Sequence, residues 1–356
     1  MSGDTAKLMT PDRGSVPERV LLIQTAFLGD VVLTLPLLDA AQDLWPGCEF
    51  TTLTLPSTAS IFKDHPAVRE TLILPKRRWD KGFFALPALV GRIKGNHFDL
   101  ALVPHRSYRS GLIAKQAGIP RRIGFEGTPA GNLCTTVVER DIDLHESARN
   151  LALLGDSVKD FPVKPVLRKS ASDETAALGW LKSAGLSNGE SIIAIAPGSV
   201  WETKRWLRTH WISLSRLLAE SGHSVVIVGG IEDRELGEMI RREVNNSSVH
   251  VAAGDLGVRA SAELLRKCRL LVTNDTAPLH LAVGVATPVL AIFGPTIPEF
   301  GFAPIGSGDR VIGLDLYCRG CEIHGSNRCP LGHHDCMRLL DPRQVFDQAL
   351  EMLKAE

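Results

Sequence analysis

A chain of 356 residues has room for two domains of ordinary size, and a 44% hydrophobic content is enough to pack a core in each. No apolar run is long enough to span a bilayer, and residues 1–18, polar with acidic residues and two prolines, lack the apolar centre of a signal peptide. The 40 basic and 40 acidic residues cancel, which on totals alone would exclude a partner chosen by charge.

The distribution of charge reverses that exclusion. Between Ser60 and Phe125 thirteen Lys/Arg face four acids, a local excess of +9. Such a block suits an anionic partner held by the first half of the chain: nucleic acid, anionic lipid, or a phosphorylated or carboxylated sugar. A solvated face with no partner is the plain alternative. Seven cysteines, four of them crowded between Cys318 and Cys336, do not resemble the evenly spread pairs of a secreted scaffold and fit a reducing cytoplasm.

In chain order, residues 1–18 form a flexible lead. Arg19–Gln24 (RVLLIQ) reads as a buried strand and Thr25–Asp30 (TAFLGD) as the loop at its carboxyl end. A helix over Val31–Trp45 follows, kinked or tightened by Pro36. Cys48–Leu55, Thr71–Leu74 and Asp99–Val103 are further strands, with helical segments around Ser57–Phe62 and Phe83–Ile93. Arg109–Gly118 reads as a helix, Arg122–Phe125 as a short strand and His145–Leu154 as a helix ending at Gly155.

Val158–Ser172 is proline-bearing, charged and irregular, and marks the domain boundary. The alternation then restarts, with strands at Ser191–Ala196, Ser224–Val228, Val249–Ala252, Arg269–Thr273 and Pro288–Phe293. Helices are expected at His210–Glu220, Glu232–Glu243, Ala260–Lys267 and Asp341–Lys354. The pattern is α/β: two doubly wound, Rossmann-like domains, 19–157 and 173–340, facing a cleft, with residues 341–356 as a C-terminal helix. Ligands of such sheets bind beyond the carboxyl ends of the strands.

The stretch Leu270–Gly284 (LLVTNDTAPLHLAVG) sets a strand, a polar turn and a helix start in succession. Asn274, Asp275 and Thr276 are capping residue types, and Pro278 falls where a first turn tolerates it. A helix opening off a strand's carboxyl end presents free N–H groups to a phosphate or diphosphate. Thr276 and His280 share a face of that helix; a capped helix with a buried histidine is the plainer reading.

Asp30, behind Gly29, reads either as a helix cap or as a carboxylate able to take a proton from an attacking hydroxyl, its basicity lowered by the helix end. Pro197–Trp206 (PGSVWETKRW) combines cations suited to phosphate with indoles suited to a ring, or else carries a surface Lys204 between half-buried tryptophans. Glu232, after Gly229-Gly230, suits a ribose hydroxyl pair or a helix dipole. Neither GxGxxG nor GxxxxGK[ST] occurs, which counts against a dinucleotide dehydrogenase or a P-loop NTPase. Cys318-x2-Cys321-x7-Cys329-x6-Cys336 has half of a zinc-type spacing, leaving open a structural metal or four reduced thiols.

Taken together, GDVVLTLPLL at Gly29–Leu38, APGSVWETKRW at Ala196–Trp206, VGG at Val228–Gly230, TNDTAPLHLA at Thr273–Ala282 and CPLGHHDCM at Cys329–Met337 resemble the bacterial ADP-heptose:lipopolysaccharide heptosyltransferases. The last run is more similar to those that add the second heptose than to those that add the first. The resemblance spans residues 19 to about 340 and implies a glycosyltransferase-B fold and inverting transfer of heptose from ADP-heptose, without cofactor or catalytic metal. It implies that Asp30 is the general base, that Lys204 neutralises the departing diphosphate and that Glu232 holds the ribose. Asp275, Thr276, Ala277 and His280 would line the diphosphate and heptose pocket.

The implied acceptor is heptosyl-Kdo2-lipid A rather than a nucleic acid. Its carboxylates and phosphates suit the +9 block, and Arg106, Arg109 and Arg122 are the expected contacts, with peripheral attachment at the inner face of the inner membrane. Ala277 departs from the glycine frequent in the family, which makes backbone approach to the diphosphate less close. The resemblance implies a diphosphate leaving group stabilised by Lys204 and a helix end. Transfer of the first heptose, an epimerase of the same fold and a non-enzymatic binding module remain as alternatives.

Overall fold

The computed structural model describes residues 16–75, 85–186 and 191–354. Nearly all of the expected flexible lead lies outside them, as do Lys76, Arg77, Arg78, Asp80 and Lys81 of the basic block.

The first half forms β1 (Arg19–Ile23), α1 (Leu28–Val32), α2 (Leu35–Leu44), β2 (Glu49–Thr54), β3 (Val68–Ile73), α3 (Ala85–Gly95), β4 (Leu100–Val103), α4 (Tyr108–Gln116), β5 (Arg121–Phe125), β6 (Thr136–Val138) and α5 (Glu146–Leu151). Its sheet has the order β3-β2-β1-β4-β5-β6 with every pair parallel. The second half forms α6 (Ala171–Ser183), β7 (Ile192–Ala196), α7 (Arg208–Glu220), β8 (Ser224–Ile227), α8 (Arg234–Val244), β9 (Val249–Val251), α9 (Val258–Leu265), β10 (Leu270–Asn274), α10 (Ala277–Gly284), β11 (Val289–Ile292), β12 (Arg310–Ile312), α11 (Asp335–Arg338) and α12 (Pro342–Lys354). Its order, β12-β11-β10-β7-β8-β9, is also all parallel and repeats the winding of the first sheet. In each, the strand order reverses beside the first strand, between β1 and β4 and between β7 and β10, and ligands bind at such points.

Sequence composition explains these sheets. The central strands β4, β7, β10 and β11 are unbroken buried runs, as a parallel sheet covered on both faces requires. The short strands β6 and β12 stand at sheet edges and are partly exposed. Leu21, Ile23, Ala101 and Val103 pack against Ile93 of α3 and Ile113 of α4 in the first core. In the second, Ile193, Ile195, Val272 and Leu290 join Trp211 and Leu214 of α7 and Val345, Phe346 and Ala349 of α12, so the C-terminal helix is part of that core.

The chain divides into two compact units. One holds residues through Ala26, 34–141 and 147–163; the other holds Phe27–Leu33, Ile142–Glu146 and Lys164 onward. The two short excursions, which sequence alone placed in the first domain, join the second unit through specific contacts. Helix α1 packs on α10. The Glu146 N–H donates to Gly301 O at 2.9 Å, and His145 Nε2 donates to Ala303 O at 3.1 Å.

Local expectations need correction at several places. The helix expected over Val31–Trp45 is two helices, because the chain turns at Leu33–Thr34 and Pro36 sits in the first turn of α2, where its missing N–H costs nothing. Ser57–Phe62 is a 3-10 turn over Ala59–Phe62. Helix α6 was not anticipated; it begins at Ser170, whose Oγ accepts the Asp173 N–H, and only Ala177 and Leu181 are buried. The edge strands β6 and β12 were also missed. Among the described residues no helix is long and apolar enough to cross a membrane.

Candidate active site

The carboxyl ends of β7 and β10, at the point where strand order reverses in the second unit, bring together the residues singled out at Asn274–His280 and Lys204. Asn274 is fully buried. Its Nδ2 donates to Pro197 O at 2.9 Å and Gly198 O at 3.3 Å, while its Oδ1 accepts the Trp206 N–H at 3.2 Å. The side chain therefore staples the loop after β7 to the end of β10 and does not cap a helix.

Asp275 is likewise no cap. Its Oδ2 accepts from Lys204 Nζ at 2.6 Å and from Thr296 Oγ1 at 2.8 Å, with the Lys204 and Asp275 side chains 12% and 6% exposed. Lys204 ends a 3-10 turn over Glu202–Lys204 and is a sequestered cation. Trp206 is core: its Nε1 donates to Leu340 O at 3.1 Å and its ring meets Trp211 edge-on at 5.1 Å, so it offers no face to a ligand.

Helix α10 opens with Thr276 in extended conformation at its N-cap position, with no side-chain cap, and with Pro278 in its first turn. That leaves the positive end of the helix beside the Lys204–Asp275 pair. His280, one turn on, is buried, and burial holds its imidazole down at about 4; Asp275 opposes this, whereas His145 and Lys204 add to it. Gly29 lies against this ring: a Cβ there would stand 2.7 Å from His280 Cδ2. Asp30, half-buried, is the third residue of α1, whose N-cap position is Phe27. The cap reading of Asp30 is thereby corrected, because the helix starts two residues before it.

On the β8 side, Glu232 is exposed in a 3-10 turn over Ile231–Asp233 that precedes α8. Asp233, not singled out from sequence, accepts the Gly230 N–H at 2.9 Å, and burial raises its carboxyl. Gly198 and Gly229 are glycine for a reason, since a Cβ on either would collide with that carboxylate. Thr296 was missed as well; it lies in the loop after β11 and carries no sequence motif.

The arginines expected to bind the acceptor lie in the first unit. Arg106 is exposed, and the Arg109 guanidinium reaches Pro75 O at 3.4 Å. Arg122 donates through Nε to Leu133 O at 2.9 Å and through Nη1 to Ile119 O, which ties it to the backbone. At the β1–β4 reversal, Thr25 Oγ1 and Ser110 Oγ lie 2.7 and 3.0 Å from His105 Nδ1. Burial, and then Arg106, hold His105 at about 4.

Two histidines kept neutral have a consequence for stability. Their unfolded counterparts titrate near 6.5, so between that pH and about 4 the unfolded chain binds more protons than the folded one. Stability is fully present above about pH 6.5 and declines as pH falls toward 4. Denaturant titrations across this window are expected to show that decline, and His280→Gln is expected to lessen it while the His105 share remains.

Twin sheets of one winding, with Lys204 and an open helix end at the reversal point of the second, define a doubly wound α/β protein with a place suited to an anionic ligand. Residues 87–329 match Glycosyltransferase family 9 (heptosyltransferase), and the chain belongs to that family. It is 24% identical over 352 residues to lipopolysaccharide heptosyltransferase 2 of Salmonella typhimurium, covering 95% of this chain and 99% of that one. To lipopolysaccharide heptosyltransferase 1 of Pseudomonas aeruginosa it is 28% identical over 315 residues, covering 85% and 86%. The fold is similar to the solved ADP-heptose lps heptosyltransferase II of E. coli, with a TM-score of 0.79 at 23% identity over 95% of this chain and 99% of that one.

Proposed function

We propose that the protein transfers L-glycero-D-manno-heptose from ADP-heptose, with inversion, to heptosyl-Kdo2-lipid A in the lipopolysaccharide inner core. The observation that carries this reading is the Lys204–Asp275–Thr296 cluster at the open end of α10, beside Gly29 and His280. Lys204 keeps N–H donors beyond the one given to Asp275, and the helix end adds positive potential where a diphosphate would leave. Glu232, exposed at the end of β8, would take the ribose hydroxyls. Thr276, Ala277 and His280 would line the diphosphate and heptose, and Asp30 would accept the proton of the attacking hydroxyl. A leaving diphosphate needs charge stabilisation rather than a proton donor, so this set of side chains works without a catalytic metal.

Arg106 and Arg109 are the proposed contacts to acceptor phosphates and carboxylates, and Arg122 shapes the loop beside them. The reaction would take place at the cytoplasmic face of the inner membrane through peripheral contact.

The test is ADP release by purified protein with ADP-heptose and either Kdo2-lipid A or its heptosylated form, with and without chelator. Turnover with the heptosylated acceptor, insensitive to chelator at early times, is expected. Turnover only with Kdo2-lipid A would assign the first heptose instead, and consumption of ADP-heptose with no acceptor would mark an epimerase. Gly29→Ala is expected to lower kcat/KM about 10-fold to 100-fold, because relieving the clash with His280 displaces α1 and with it Asp30.

A further inference from the structure

The first unit holds a polar cluster that the proposed transfer leaves without a role. Thr25 and His105 each stand two residues beyond a strand's carboxyl end, β1 and β4, on the two sides of the reversal in strand order, and Ser110 lies in the first turn of α4. His105 Nδ1 is 2.7 Å from Thr25 Oγ1 and 3.0 Å from Ser110 Oγ, and the two hydroxyls are 3.2 Å apart.

The backbone around this ring is fixed. Ser107 caps α4, its Oγ accepting the Arg109 N–H at 3.3 Å, and the Ala130 N–H donates to Arg106 O at 3.1 Å. A Cβ at Gly111 would stand 2.6 Å from Ala130 O, so α4 meets that loop at backbone contact. The imidazole is thereby held from its own segment, from α4 and from the end of β1.

Counting hydrogens sets its tautomer. Ser110 is buried, so its hydroxyl hydrogen needs an acceptor within the cluster. Both hydroxyls are satisfied there only if Nδ1 accepts; with a hydrogen on Nδ1, one hydroxyl would find no acceptor among the three groups. The ring proton therefore sits on Nε2. Among the described residues the ring's hydrogen bonds are all made through Nδ1, and Nε2 is not sealed from solvent. The half-buried ring, kept neutral by burial and then by Arg106, offers one fixed N–H donor beyond the strand ends, where ligands of this topology bind.

The neighbours of that donor define the ligand. A neutral N–H suits a hydroxyl, whereas a phosphate is better met by a cation. Arg106 and Tyr108, the exposed residues on either side of Ser107, add a guanidinium for a carboxylate and an aromatic face for a ring. Hydroxyls, a carboxylate and a ring are together the chemistry of an acidic saccharide. We propose, resting on the reading of the first unit as the acceptor's, that His105, anchored by Thr25 and Ser110, donates from Nε2 to a sugar hydroxyl of the acceptor and so selects for it.

The experiment compares wild type with His105→Asn, whose amide reproduces the Nδ1 anchor and lacks the Nε2 donor, in steady-state transfer to O-deacylated heptosyl-Kdo2-lipid A. The acceptor kcat/KM is expected to fall about 10-fold to 100-fold, mostly through KM, while KM for ADP-heptose stays within about twofold. Thr25→Val, which keeps the shape and removes an anchoring hydroxyl, should show the same acceptor-selective loss at about 3-fold to 10-fold. A loss shared equally by donor and acceptor would make the cluster structural only, and an unchanged acceptor KM in His105→Asn would remove His105 from the site. Independently of any variant's folding, histidine side-chain ¹⁵N spectra of the wild-type protein should show the Nε2–H tautomer for His105, with a shift on adding the same saccharide. An Nδ1–H tautomer, or no shift, would overturn the contact. Wild-type turnover separates the two readings: its absence with this acceptor refutes the proposed transfer, whereas turnover indifferent to His105 refutes only the role given to His105.

Discussion

Replacing Asp30 with alanine is expected to lower kcat for heptosyl transfer about 100-fold to 10,000-fold while leaving ADP affinity within a few fold. The asymmetry follows from position. Asp30 sits in the first turn of α1, a five-residue helix whose neighbouring glycine abuts His280, whereas the diphosphate cradle is built from Lys204, Asp275 and the end of α10. Asp30 would accept the proton as the attacking hydroxyl bonds to the anomeric carbon, so its loss falls on kcat. Asp30→Asn, which keeps shape and removes basicity, should be as inactive as alanine. Turnover near wild type in either variant, measured by ADP release, would remove Asp30 from the reaction.

Lys204→Ala carries the second large effect, on activity and on stability together. Loss of the cation from the leaving-group site should lower kcat/KM for ADP-heptose about 100-fold to 1,000-fold. It also strands Asp275, which would keep only Thr296 as a partner in a nearly dry setting. Removing one member of a buried pair costs about 3–5 kcal/mol. Lys204→Met/Asp275→Asn removes both charges and should restore most of the stability without restoring turnover. Steady-state kinetics beside denaturant titration of the three proteins separates the two roles. A Lys204→Ala protein as stable and as active as wild type would contradict both.

The strands were readable because a parallel sheet covered on both faces demands unbroken apolar runs, and RVLLI, IIAIA and LLVTN supply them. Helix α6 was not readable, since two buried residues in thirteen leave no stripe to recognise. At the site, residue types were legible and partnerships were not. Lys204 and Asp275, 71 positions apart, each looked like a solvent-side or capping residue until the winding of the second sheet set them 2.6 Å apart. Asn274 read as a cap and is a staple between two loops. Asp233 and Thr296 carry no motif, and the His105 cluster joins residues 80 and 85 positions apart at the β1–β4 reversal. Resemblance supplied the roles that spacing left undecided. The reading of Trp206 as one of two indoles for a ring, made from residue type alone, gave way to burial, because the indole is spent on the core.

The most direct test is a crystal structure of the protein with ADP bound. The expected result places the diphosphate within about 3 Å of Lys204 Nζ and the Ala277 N–H, with the ribose at Glu232. ADP seated in the first unit, or bound in the second with Lys204 still held by Asp275 alone and no phosphate near α10, would contradict the donor cradle on which the proposed transfer rests.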